Sequence, residues 1–237
     1  MPSGPLESAA PSSRRASGEK AGDAAGFVLA GGESARMGED KALLLFAGQP
    51  LVQRALLLLR EAGISASIAG AQKSARANLA QFAPVIDDPE PDIGPLAGIC
   101  AAMASTSANY TVFLPVDLPL LPSSLVVYLL HHACISGHAV TLATVSGFTQ
   151  TFPSVLDRAV LPILKAELDA GRRGCFTAFR AAAASMGQSI SGIAVEYLAQ
   201  SGQVVHSLAL PPFRWFLNLN RRQDLVLAES LLAKPIA

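Results

Sequence analysis

FVLAGGESARMGEDK, residues 27–41, opens with the apolar run Phe27-Val28-Leu29-Ala30 and breaks at Gly31-Gly32 into a polar loop ending at Lys41. A short apolar run closed by glycine has the length of a buried strand. A strand that opens into a glycine-bearing loop suits phosphate, because glycine accepts positive φ and lets backbone N–H groups approach an anion closely. Arg36 and Lys41 add positive charge from the same loop, one as a planar fork and one as a point charge. An ordinary strand and turn with scattered charges has the same spacing. The loop is not a Walker loop, since no GK[ST] is present, nor G-x-G-x-x-G, since its glycines are adjacent.

Outward from this stretch the chain alternates. Leu51 to Ala62 has helical spacing, Ser65 to Ala69 reads as a strand, and Ser74 to Phe82 as a helix. Pro84 to Ile86 reads as a third strand, a helix runs from Gly94 to about Ser105, and Tyr110 to Leu114 is a fourth strand. Ser123 is placed to cap a helix over Leu125 to Ile135. Such alternation predicts a single Rossmann-like α/β domain, a mainly parallel sheet with helices on both faces. Beyond it, His138 to Val145 and Gln150 to Leu156 read as strands, with helices over 157–170 and 175–185. Residues 186–202 are ambiguous. Val204 to Leu210 and Trp215 to Leu219 read as strands, and Asp224 to Ala233 as a closing helix.

Composition narrows the function classes. Of 237 residues, 51% are hydrophobic and 15% charged, with mean hydropathy +0.38 and formal net charge +0. That balance gives no support to a nucleic-acid or membrane-surface partner. No run reaches the ~18 apolar residues a spanning helix needs. The richest stretch, 118–130, is interrupted by Pro119, Pro122, Ser123 and Ser124. Cys100, Cys134 and Cys175 lie far apart without a CxxC, which fits buried packing in a reducing cytoplasm. Residues 1–25 are rich in Ser, Pro, Gly and Ala, and no apolar segment follows Arg14 and Arg15. They read as a disordered N-terminal tail, leaving 26–237 as the domain.

Two acids stand where ligands bind in open α/β sheets, at strand carboxyl ends. Asp88 follows Val85-Ile86, and Asp117 follows Val112-Phe113-Leu114. In a parallel sheet these ends share one edge, so Asp88, Asp117 and the 31–41 loop converge. Asp117 could instead cap the helix after Pro119. Pro115 and Pro119 stiffen its segment. A carboxylate beside phosphates is explained by Mg²⁺, a hard cation that takes one or two carboxylates plus phosphate oxygens. His131, His132, His138 and His206 form no HExxH or other ligand cluster, and no Gly-x-Ser-x-Gly is present.

L-A-G-G-x-S-x-R-M-G-x-D-K, Leu29 to Lys41 with every fixed position present, resembles the signature of the molybdenum cofactor guanylyltransferases. Three further stretches resemble the same family: Gly94-Pro95-Leu96-Ala97-Gly98, the metal motif Pro115-x-Asp117-x-Pro119, and Phe216-Leu217-Asn218-Leu219-Asn220 followed by Asp224-Leu225. The resemblance implies a nucleotidyltransferase that moves GMP from GTP to molybdenum-loaded molybdopterin. It assigns nucleotide contacts to Leu29, Ala30, Gly31, Gly32, Lys41, Asp88 and Asp117, with Asp87 as the rival of Asp88. Arg36, Lys41 and Asp117 are the implied catalytic residues, Asp117 the Mg²⁺ ligand, and Asn218 and Asn220 the acceptor contacts. Implied partners are GTP, molybdenum-molybdopterin, and molybdoenzymes or their chaperones. The Gly31-Gly32 pair resembles the guanylyl branch, whereas the cytidylyl branch has Ala then Gly there. The chain departs from the family at Arg221-Arg222, where Thr-Pro is usual, and at Ala69-Gly70, where some members carry a base-contacting Asn. A CTP-using relative, a sugar-phosphate nucleotidyltransferase and a non-catalytic cofactor carrier remain as alternatives.

Overall fold

The computed structural model describes residues 23–31, 40–87 and 93–232. In chain order, strand β1 (Ala24–Leu29) leads through a 3-10 turn (Lys41–Leu43) to the short hairpin β2 (Leu45–Phe46) and β3 (Gln49–Pro50). Helix α1 (Leu51–Glu61), strand β4 (Ser65–Ala69) and the short α2 (Arg76–Leu79) follow, then α3 (Pro95–Ala104) and β5 (Tyr110–Pro115). Helix α4 (Ser123–Ser136) precedes the hairpin of β6 (Val140–Val145) and β7 (Phe148–Asp157). The chain closes with α5 (Leu161–Asp169), α6 (Cys175–Ser185), β8 (Ser191–Ala194), α7 (Val195–Gln200), α8 (Pro212–Trp215) and α9 (Arg222–Leu232).

Six strands form the main sheet in the order β4-β1-β5-β7-β6-β8. β1 pairs in parallel with both β4 and β5, and β6 with β8, while β7 runs antiparallel between β5 and β6. Alternate residues of the central strands serve opposite faces. Val28, Val112 and Leu114 belong to the apolar cluster that includes α1 and α4, whereas Phe27, Leu29 and Phe113 belong to the one that includes α3 and α6. Both faces are therefore covered, as buried parallel strands require. Phe27 and Phe113 lie opposite each other in register, and their rings stack at 5.5 Å across β1 and β5.

Several sequence expectations need correction. Val204 to Leu210 is not a strand. His206 Nδ1 accepts the Leu208 N–H at 3.1 Å and the Ala209 N–H bonds the His206 carbonyl at 2.8 Å, which folds the segment into turns. Trp215 to Leu219 is not a strand either, because Pro211-Pro212 opens the short α8 and the residues after it leave unpaired with the sheet. Pro84 to Ile86 shrinks to a single parallel bridge, Val85 opposite Ile68, since Pro84 has no N–H to extend the ladder. Pro122, not Ser123, stands at the cap position of α4, and no side chain caps that helix. Ambiguous residues 186–202 hold β8 and α7. β1 starts at Ala24, inside the stretch read as a tail, and residues 1–22 lie outside the described residues.

One backbone contact positions the site. Where β1 and β4 end, Ala30 N–H bonds the Ala69 carbonyl at 3.0 Å. A Cβ at Gly31 would meet the Gly70 carbonyl oxygen at 2.0 Å, and a Cβ at Gly98 in α3 would meet Gly70 Cα at 2.8 Å. Gly70 itself has φ +68°, in the left-handed region. Three main chains thus meet with no room for a methyl group. Gly31→Ala and Gly98→Ala should each lower the urea midpoint, by about 1–3 kcal/mol of stability as in other overpacked sites. Unchanged midpoints would show that the turn yields freely.

Candidate active site

The carboxyl ends of β1, β4 and β5 meet the start of β7, whose antiparallel course brings Gln150, Thr151 and Phe152 beside Pro115. A cleft of about 490 Å³ opens there. Its walls include Leu29, Ala30 and Gly31 from the first strand and loop, Val116 and Asp117 after β5, and Phe216, Asn218 and Asn220 from the C-terminal segment.

Asp117 is held by the backbone on both sides. Val116 N–H bonds the Leu29 carbonyl at 3.3 Å, extending the β1–β5 ladder, and the Asp117 carbonyl accepts the Leu219 N–H at 3.0 Å. Lys41 opens the 3-10 turn, which Asp40 caps by accepting the Ala42 N–H at 3.0 Å. From there Lys41 Nζ donates to Asp117 Oδ2 at 2.9 Å and to Asn220 Oδ1 at 3.0 Å. Asn220 is fixed in turn, since Asp224 Oδ2 accepts the N–H of Asn220 at 2.9 Å and of Arg221 at 2.7 Å. The Lys41 and Asp117 side chains are 18% and 20% exposed. With most of each side chain covered, the attraction within the pair is offset by the desolvation of its two charges, so its significance is positional.

The structure brings together Leu29, Ala30, Gly31, Lys41, Asp117, Asn218 and Asn220 of the expected site. Asn218 and Asn220 flank the buried Leu219, so the alternation expected of a strand persists in a segment outside the sheet, and both line the cleft. Arg36, Gly32 and Asp88 lie outside the described residues. Asp87, the rival of Asp88, is exposed and engaged in an ion pair with Arg76. Asp117 does not cap α4, the helix after Pro119. The histidines 131, 132, 138 and 206 line other regions. Cys175 is a packing group, its thiol pushed up to about 12 by burial and, secondarily, by Cys100.

Gln150, Thr151 and Phe152 were not singled out by the sequence. Their strand is legible, but its place next to β5 depends on a sheet order that no local pattern carries. Asp40 was visible as a fixed position of the loop signature, though not as the cap beneath Lys41.

Behind the cleft, further side chains hold the segment after Asp117. Arg54 Nε donates to the Pro119 carbonyl at 2.6 Å, and His206 Nε2 to the Leu120 carbonyl at 2.9 Å. Because Nδ1 of the same ring accepts the Leu208 N–H, His206 is the neutral Nε2–H tautomer. Its ring stacks on Trp215, centroids 5.9 Å apart.

In an open α/β sheet ligands bind at the carboxyl edge of the strands, where the Lys41–Asp117 pair and the close-packed glycine backbone stand. Residues 26–185 match the MobA-like NTP transferase domain, and the chain belongs to that family. It is 40% identical to the molybdenum cofactor guanylyltransferase of Xanthomonas euvesicatoria pv. vesicatoria (strain 85-10), over 47% of this chain and 57% of that one. It is 34% identical to the molybdenum cofactor guanylyltransferase of Pseudomonas putida, over 62% of this chain and 77% of that one. The chain thus spans little more than half the length of the Xanthomonas relative. In fold it resembles the molybdopterin-guanine dinucleotide biosynthesis protein A of Archaeoglobus fulgidus, with a TM-score of 0.70, 18% identity, and coverage of 88% of this chain and 98% of that one. No helix among the described residues is long and apolar enough to cross a membrane.

Burial lowers the pKa of His206 first, a lowering that its hydrogen bond to Leu120 opposes and the charge of Arg54 adds to. The native state thus binds fewer protons here than the unfolded chain, whose histidine titrates near 6.5. Stability from His206 is complete above pH ~6.5 and is lost as pH falls below it. Urea unfolding followed through Trp215, the single tryptophan of the chain, should give a lower midpoint at pH 5.5 than at pH 7.5. His206→Gln should narrow that gap, and an equal gap in both proteins would remove His206 as its source.

Proposed function

We propose that the protein transfers GMP from GTP to the terminal phosphate of molybdenum-loaded molybdopterin, making the guanine dinucleotide cofactor and releasing pyrophosphate. The observation that carries this reading is the meeting of Lys41 with Asp117 at 2.9 Å and Asn220 at 3.0 Å, in one cleft beside Gly31. The names of the relatives support the substrate pair.

In this reaction an oxygen of the acceptor phosphate attacks the α-phosphorus of GTP. A new P–O bond forms, the α–β bridge breaks, and pyrophosphate leaves with the displaced electron pair. The acceptor is already anionic, so no general base is needed. Leu29, Ala30, Gly31 and Gly32 hold the nucleotide through backbone groups, and Asp88 fixes it further. Arg36 and Lys41 neutralise the phosphates and the leaving pyrophosphate, the positioning and charge compensation on which phosphoryl transfer depends.

Asp117 is the metal ligand in this account. A cation already stands against its carboxylate, in the form of the Lys41 ammonium, so the position accepts positive charge. Among the described residues no group of three or more His, Cys, Asp or Glu could hold a metal ion alone. A lone carboxylate fits Mg²⁺, a hard cation that takes only one or two protein carboxylates, and Asp117 would be the residue that holds it. When bound, Mg²⁺ supplies Lewis-acid polarisation of the phosphoryl oxygens.

On the acceptor side, Asn218 and Asn220 offer paired amides to a pterin ring, with Phe152 and Phe216 as apolar faces of the same cleft. The preference for GTP over CTP rests on Gly31-Gly32. A methyl at position 31 would meet the Gly70 carbonyl, so an alanine there requires a displaced turn and a differently shaped pocket. In this reading the nucleotidyltransferase domain, expected from 26 to 237, begins with β1 at Ala24, the compartment is the cytoplasm, and a molybdoenzyme or its chaperone receives the product.

Pyrophosphate release should require Mg²⁺, GTP and molybdenum-loaded molybdopterin together. Lys41→Ala and Asp117→Asn should each cost about 10²–10³-fold in kcat, as removal of a key electrostatic contact does elsewhere. Release with CTP alone would keep the chemistry and overturn the base assignment. Nucleotide binding without turnover on any acceptor would favour a carrier.

A further inference from the structure

The cleft explains what holds Asp117 from the front but not why its segment is so heavily tied from behind. After Asp117 the chain reads Leu118-Pro119-Leu120-Leu121-Pro122, a run without the regular hydrogen bonds of helix or strand. Pro119 and Pro122 have no N–H, so the segment depends on its carbonyls for anchorage. Two consecutive carbonyls are taken by side chains from distant elements. Pro119 accepts from Arg54 Nε at 2.6 Å and Leu120 from His206 Nε2 at 2.9 Å.

Each donor is itself locked. The Arg54 guanidinium lies 4.9 Å over the ring of the fully buried Phe46. His206 is only 8% exposed, its second nitrogen is used by Leu208, and its ring rests on Trp215, whose indole N–H is bonded to the Leu210 carbonyl at 2.7 Å. No carboxylate among the described residues forms an ion pair with Arg54. Its directional bond goes to backbone instead. The segment from Leu118 to Pro122 is buried, so its carbonyls need partners, and Arg54 and His206 supply them within three residues of the carboxylate that faces the cleft.

We propose that Arg54 and His206 are positioning residues that fix the Asp117 carboxylate through the Pro119 and Leu120 carbonyls. They touch no substrate. They set where the carboxylate stands, and hence how well it holds a divalent cation once nucleotide is present. The proposal rests on Asp117 being the metal ligand, which Asp117→Asn tests separately.

The experiment measures Mn²⁺ affinity of the protein–GTP complex by electron paramagnetic resonance, beside kcat and KM for GTP in pyrophosphate release. Arg54→Met and His206→Phe remove the donors while keeping the apolar packing. Each should weaken Mn²⁺ binding and kcat by about 10–100-fold, the range for outer-shell partners of a metal site, with KM for GTP changed less than about threefold. Arg54→Lys and His206→Gln, which keep an N–H donor, should recover most of both. Wild-type Mn²⁺ affinity and kcat in Arg54→Met and His206→Phe, with both lost in Asp117→Asn, would overturn the positioning role alone. Losses that follow a fall in melting temperature and are not restored by Arg54→Lys or His206→Gln would reduce the two residues to folding. Unchanged Mn²⁺ affinity in Asp117→Asn would overturn the Asp117 reading itself.

Discussion

Lys41 reaches across 76 residues to Asp117 and across 179 to Asn220, and the site exists only because those three side chains meet. Each arrives by a separate local device. Asp40 caps the turn that presents Lys41, the Leu29 and Leu219 backbone groups fasten Asp117, and Asp224 gathers the N–H groups that place Asn220. None of these devices is a large source of stability. They convert the rigidity of the sheet into a fixed separation between opposite charges, the form of pre-organisation that phosphoryl chemistry uses.

The floor of the cleft has a different origin. Parallel strands alone would leave the ends of β1 and β4 apart from α3 by the width of side chains. Glycine at positions 31, 70 and 98 removes those side chains, and the main chains come into contact. The adjacent glycines of the loop signature therefore have unequal work to explain. Position 31 is constrained by the protein's own Gly70 carbonyl, whatever ligand is bound.

How much of this was legible in the sequence follows the range of the forces involved. Strands β1, β4 and β5 and helices α1, α3 and α4 were readable because apolar runs and proline or glycine punctuation lie within a few residues of each other. Leu29, Ala30, Gly31, Lys41 and Asp117 came with them, since strand ends in a parallel sheet share an edge. The C-terminal region misled for a physical reason. Val204-Val205 and Leu208 to Leu210 have the composition of a strand, but His206 and the prolines at 211 and 212 divert their hydrogen bonds into turns. The wall formed by Gln150 to Phe152 was illegible because antiparallel insertion of β7 between β5 and β6 is a long-range choice.

A carboxylate inside a cleft proposed to take a triphosphate is an electrostatic problem, and the Lys41–Asp117 pair answers it. Alone, the pair is neutral, so the Asp117 carboxylate does not stand uncompensated in the cleft. On the proposed reading, phosphate would replace Asp117 as the partner of Lys41 and a divalent cation would replace Lys41 as the partner of Asp117, so neither charge would be left isolated and desolvated. A single carboxylate would then be enough, since phosphate oxygens are hard ligands of the same kind, and a second carboxylate at the same place would add repulsion against the phosphates.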